Sequence, residues 1–130
     1  MTLPTTEKIK KLVDLLYDGT RQGAIDWQLG FDEEIVEAKV GKNIVQLMKE
    51  DEENPEDGTV TVIVLKNDKG DIVDRIYPGV LYPEKVSIDG LTKYWQVFDA
   101  IYGFAIRMAK GVEKTLDEVI SELNSRIIPF

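Results

Sequence analysis

Apolar residues recur with helical spacing from Leu91 to Lys110, LTKYWQVFDAIYGFAIRMAK. At about 100° per residue, Leu91, Tyr94, Trp95, Val97, Phe98, Ile101, Tyr102, Phe104, Ala105, Ile106, Met108 and Ala109 cover an arc of roughly 200°. Lys93, Gln96, Asp99, Gly103, Arg107 and Lys110 fill the rest. A helix resting on one sheet face needs a stripe of about 100°. This one therefore predicts a second covering surface: another helix of the chain, a twin subunit or a ligand.

The pattern predicts the other elements in turn. Pro4-Thr5-Thr6-Glu7 opens a first helix, with Thr5 or Thr6 as N-cap and Glu7 near the positive end of the dipole. Ile9, Leu12, Val13, Leu16 and Tyr17 share one face, Leu15 lies at its margin, and Asp18-Gly19 is the expected stop. This helix is a natural cover for the spare arc of the aromatic one. From Ala24 to Phe31 the chain alternates, with Ile25, Trp27, Leu29 and Phe31 inward, as in a half-buried strand. Ile35–Met48 reads as a hairpin turning at Gly41-Lys42-Asn43, with Val36, Ala38, Val40, Val45 and Leu47 on the apolar side. TVTVIVLK (Thr59–Lys66) is β-branched and apolar on both faces, so it belongs centrally in the sheet.

Asn67-Asp68-Lys69-Gly70-Asp71 is hairpin-turn chemistry leading into Ile72–Tyr77, and Pro78-Gly79 ends that strand. Val80–Gly90 reads as a crossing loop with an edge strand near Val86–Ile88. Gly111 breaks the chain, and Thr115-Leu116-Asp117-Glu118 fits a capping box. A last helix, Leu116–Asn124, is expected to bury Leu116, Val119, Ile120 and Leu123. The fold class is α+β: an N-terminal helix, a four- to five-stranded antiparallel meander, and two C-terminal helices packed on one face of the sheet. Residues 1–130 form a single domain in this reading.

Composition narrows the function classes. The chain has 130 residues, 43% hydrophobic and 31% charged, an ordinary globular balance. Apolar runs such as that within Val60–Leu65 are too short to span a bilayer. The start, MTLPTTEKIKKL, lacks the apolar region of a signal peptide, so the expected localisation is cytoplasmic. There is neither Cys nor His. This removes thiol and Ser–His nucleophilic systems, Cys/His zinc sites and His general bases, and the reading leans away from an enzyme and from any cofactor. Of the net charge of −8, residues 50–57 (EDEENPED) hold six acids and no base, leaving 16 bases against 18 acids elsewhere. With no basic stripe, nucleic-acid and anionic-membrane binding are not expected.

Five groups of residues invite a functional reading. The acidic run does not follow an EF-hand, since Pro55 stands where a ligand belongs and no distal Glu has the spacing, so a solvated loop is expected. Trp27, Tyr94, Trp95 and Tyr102 either line a small-molecule cavity between sheet and aromatic helix or build the core. Asp26, Asp74 and Asp99 are candidates for a catalytic carboxylate pair, but nothing in their spacing fixes two of them together. Gly19, Gly23, Gly30 and Gly41 match no phosphate-binding loop. The tail, Ile127, Ile128, Pro129 and Phe130, is apolar for a terminus: it docks on its own core or contacts a partner.

At LLYDGTRQGAIDW (Leu15–Trp27) the chain resembles a group of short, mostly bacterial α+β proteins with a leading helix, a turn and an I-x-W strand. The Gly41–Ile44 hairpin, the N-D-x-G turn at Asn67–Gly70 and G-V-x-x-x-L-D-E at Gly111–Glu118 extend the similarity over nearly the whole chain. The resemblance implies a stand-alone accessory or interaction domain in a prokaryote or its phage, and transfers no functional residue. The expected function is thus non-enzymatic protein–protein contact, with a protein partner or a second copy. The alternative is a small-molecule-binding module built on the four aromatic residues.

Overall fold

The computed structural model describes residues 5–127. Helix α1 (Thr5–Arg21) is followed by strands β1 (Gln28–Leu29), β2 (Val36–Val40), β3 (Asn43–Asp51), β4 (Thr59–Lys66) and β5 (Ile72–Ile76). A 3₁₀ turn, Pro78–Leu81, leads to a ribbon of β6 (Lys85–Ile88) and β7 (Leu91–Lys93), then α2 (Tyr94–Ala109) and α3 (Val112–Arg126). The first five strands form one sheet in chain order, each antiparallel to the next. The expected α+β class and meander are what the chain adopts. No helix among the described residues is long and apolar enough to cross a membrane.

Alternation sets the core. Val36, Ala38, Val45, Leu47, Ile63 and Ile76 project from one sheet face and are buried with Val97, Phe98, Ile101 and Ala105 of α2. Helix α1 adds Ile9, Val13, Leu16 and Tyr17 to the same cluster. The Tyr17 ring meets Phe104 edge-on at 6.3 Å, and the Arg21 guanidinium lies 4.9 Å from the same ring. The wide arc of the aromatic helix is thus covered largely from within, by the sheet on one flank and α1 on the other. On the opposite sheet face Val62 and Val64 are also buried. There Glu50 of β3 reaches across β4, accepting from Tyr77 Oη at 3.0 Å and pairing with Arg75 at 3.4 Å.

Four local expectations are corrected. Helix α1 runs through Gly19, which is in place because the Ile25 side chain comes close: a Cβ there would stand 2.9 Å from Ile25 Cδ1. The strand expected over Ala24–Phe31 pairs only at Gln28–Leu29. The chain then bends, Gly30 N–H donates to the Ile35 carbonyl, and Phe31 is left 89% exposed while Ile35 is buried instead. Leu91–Lys93 pair with Lys85–Ile88 rather than opening α2, so the expected edge strand forms a separate ribbon. Here Gln96 accepts from the Thr92 and Lys93 amides and fixes the helix start.

The fourth correction concerns α3. Gly111, at φ +65°, takes a left-handed conformation that lets α3 begin at Val112, so Thr115 falls inside the helix and its capping box is not used. None of the α3 residues is buried: Leu116, Val119, Ile120 and Leu123 are 46–55% exposed, against the expectation that they pack inward. The apolar pattern demanded cover, and the chain does not supply it. Ile127 is 67% exposed; Ile128 and Phe130 lie outside the described residues.

Candidate functional site

The four aromatic residues singled out above are dispersed. Trp27 is in the core, its indole N–H donating to Thr20 Oγ1 at 3.0 Å. Tyr102 is partly covered, and its hydroxyl donates to the Glu34 carbonyl at 2.6 Å. Burial, reinforced by the nearby Glu34 and Asp32 carboxylates, pushes its phenol above the ordinary value. Tyr94 and Trp95 come together in one groove of about 320 Å³, which Trp27 and Tyr102 do not line.

That groove is built where three connections meet. Pro78 and Leu81 of the 3₁₀ turn are buried and form its floor, held under α1 and α2. Tyr82 and Pro83, joined by a cis peptide, make one wall. Tyr94 and Trp95, the first two residues of α2, make the other. Being adjacent on a helix, they point about 100° apart. Tyr94 therefore turns inward, and its hydroxyl lies 3.4 Å from Asp14 on α1. Trp95 turns outward, 52% exposed, opposite a Tyr82 that is 85% exposed. Trp95 has no hydrogen-bond partner among the described residues, in contrast to Trp27.

Burial drives the Asp14 carboxyl above its usual range despite the bond from Tyr94. The Tyr94 phenol is raised by the same burial and by the nearby Asp14 charge. Lys10 lies 3.5 Å from Glu84 and 3.6 Å from Glu7, so the Glu84 carboxylate on the groove rim is partly neutralised. Lys85 and Lys93 remain at this end.

A second groove, about 420 Å³, shares Pro78, Gly79 and Trp95 with the first. Its other lining residues are Glu52, Asp57, Thr59, Val60 and Asp99. The acidic run frames it: β3 extends through Asp51, a 3₁₀ turn covers Pro55–Asp57, and Glu52 N–H donates to the Gly58 carbonyl. Asp99 is not free, because its Oδ1 accepts from Thr61 at 2.6 Å and from Lys49 at 2.9 Å. Lys49 in turn lies 5.1 Å from the Tyr102 ring. This cluster seats α2 on the sheet, so Asp99 faces β3 and β4 rather than the solvent its helical position suggested.

The carboxylates do not converge. Asp26 precedes edge strand β1 and accepts from Gln28, whereas Asp74 sits on the opposite edge strand β5. No group of three or more Asp or Glu residues gathers as a metal-holding cluster among the described residues. The first groove combines aromatic planes and an apolar floor with Glu84, Lys85 and Lys93, and the second adds Glu52 and Asp57. Sequence reasoning missed Pro78, Tyr82 and Pro83. The signal was present in YPGVLYP (Tyr77–Pro83), where two Tyr-Pro pairs bracket a short apolar turn. Comparison with protein-family models, curated proteins and solved structures finds no match.

Proposed function

We propose that the protein is a non-enzymatic cytoplasmic interaction domain that works as a homodimer, self-associating through α3. The carrying observation is that α3 presents Leu116, Val119, Ile120 and Leu123 on one side while burying none of its residues, and that Ile127, just beyond its end, is exposed as well. Contiguous apolar stripes of this kind mark interaction sites in monomeric structures. Their exposed fractions amount to roughly 450 Å² per copy, so two stripes facing each other bury about 900 Å² before flanking residues are counted, close to the lower bound for a specific interface. That size suits a dimer of micromolar affinity.

A second copy is favoured because an apolar stripe is complementary to its own twin across a two-fold axis. The charges along α3 are largely matched within one copy: Glu113 pairs with Arg107, Glu118 with Lys114 and Arg126 with Glu122. An antiparallel two-fold pairing of the stripes opposes the helix dipoles favourably.

Light scattering coupled to size-exclusion chromatography over a concentration series tests the reading. A monomer–dimer equilibrium is expected in the micromolar range, and Leu123→Glu should shift it fully to monomer while keeping the parent's melting temperature at concentrations where the parent is itself monomeric. A strict monomer at high micromolar concentration would refute self-association. A dimer that survives both Leu123→Glu and Ile120→Glu would place the interface elsewhere.

A further inference from the structure

We infer that the groove between Tyr82 and Trp95 is a second docking surface, one for an extended, proline-bearing peptide segment with a Lys or Arg beside its apolar residues. It is separate from the α3 stripe and does not depend on self-association.

Size favours a slim occupant first. An α-helix with side chains is about 10 Å across, bulky beside a groove of 320 Å³ floored by a four-residue turn. A polyproline-type segment is slimmer, has three residues per turn, and leaves its backbone carbonyls without internal partners. Such segments dock between aromatic side chains. Tyr82 and Trp95 provide two exposed rings facing one channel, with Pro78 and Leu81 beneath. The Trp95 indole N–H, without a partner among the described residues, is a donor for one of those carbonyls.

Charge then selects the occupant. Beyond Trp95 the surface continues into the groove that holds Glu52 and Asp57. Asp99 there is already held by Lys49 and Thr61, so Glu52 and Asp57 supply the negative charge an incoming cation would meet. The first groove itself carries Lys85 and Lys93 together with Glu84, whose charge Lys10 offsets. A basic residue following the apolar part of the segment would cross the Trp95 ring on its way to Glu52 and Asp57, gaining a cation–π contact as well as an ion pair. An acidic residue at that place would meet like charge. The arrangement therefore prefers one sign of charge at that end of the segment.

The test uses the full chain and a synthetic peptide of alternating proline and leucine ending in arginine, with a counterpart ending in glutamate. Trp95 fluorescence reports binding, and Trp27→Phe removes the buried background. The arginine peptide should bind saturably and more weakly as salt rises, and the glutamate peptide several-fold less well. Trp95→Ala should weaken binding about 30-fold or more, the cost of losing an aromatic anchor, read by polarisation of a labelled peptide. Glu52→Gln with Asp57→Asn should weaken it about 3- to 10-fold. If Trp95→Ala lowers the melting temperature appreciably, Tyr82→Ala replaces it, since that side chain is almost wholly exposed. Leu123→Glu should leave peptide affinity unchanged. Absence of binding, equal affinity for both peptides, or binding indifferent to Trp95 and Tyr82 would overturn the inference. So would a groove that responds to small metabolites and to neither peptide.

Discussion

Asp99 tests whether α2 is seated by the polar cluster under its first turns. Its Oδ1 accepts from the Thr61 hydroxyl at 2.6 Å and from Lys49 at 2.9 Å. Thr61 is 1% exposed, so Asp99→Ala strands a buried hydroxyl and removes its charge-assisted bond, together costing about 2–3 kcal/mol. The Lys49 pair adds little: its side chains are 27% and 40% exposed, and such pairs contribute at most about 1 kcal/mol. The expected total is about 3 kcal/mol, or roughly 10 °C in melting temperature for a chain of this length. Thr61→Val should cost only about 1 kcal/mol, because it leaves no buried donor unpaired and Asp99 keeps Lys49. The double variant should then cost about 2–3 kcal/mol rather than the sum, a coupling of about 1–2 kcal/mol. Asp99→Asn, which preserves an acceptor for Thr61, should fall near 1 kcal/mol. Urea unfolding followed by circular dichroism measures all four. A loss below about 0.5 kcal/mol for Asp99→Ala, or strict additivity of the two changes, would refute the reasoning.

Two further expectations follow from other contacts. Gly103→Ala, mid-helix with nothing within 4 Å of the added Cβ, should stabilise by about 1 kcal/mol, whereas Gly19→Ala should gain nothing because Ile25 must move. Equal gains by thermal melting would show that the Ile25 approach carries no cost. The raised Asp14 pKa means that the folded state favours the protonated carboxyl: its stabilising contribution is full below the ordinary value of 3.8 and is lost as pH rises through the higher native value. Asp14→Asn should therefore gain on the parent as pH rises from acid toward neutral, and a difference that is flat or falls in pH-resolved denaturation would contradict this.

Elements whose signal lies within a few neighbouring residues were legible from the chain alone. The β-branched run Thr59–Lys66, the Gly41-Lys42-Asn43 turn and the Asn67–Asp71 turn gave strands in the expected order, because strand propensity and turn chemistry act over a few residues. The 200° arc of α2 likewise announced two covering surfaces, and α1 proved to be one of them. Where burial depended on the chain's later course, the reading failed. Phe31 belonged to an inward series until the backbone bent at Gly30, and Leu91–Lys93 matched the helix until β6 offered hydrogen bonds.

The same limit governs the candidate sites. Tyr94 and Trp95 are equally aromatic and adjacent, yet one is buried against Asp14 and the other opens a groove, a difference made by α1 and the Pro78–Pro83 loop lying on one side of the helix only. Helical periodicity states that Leu116, Val119, Ile120 and Leu123 need cover; it carries no information on what provides it. That depends on the direction in which α3 leaves Gly111, a matter of one left-handed residue and the space beyond it. Amphipathic pattern is a property of a segment, and burial is a property of the whole molecule.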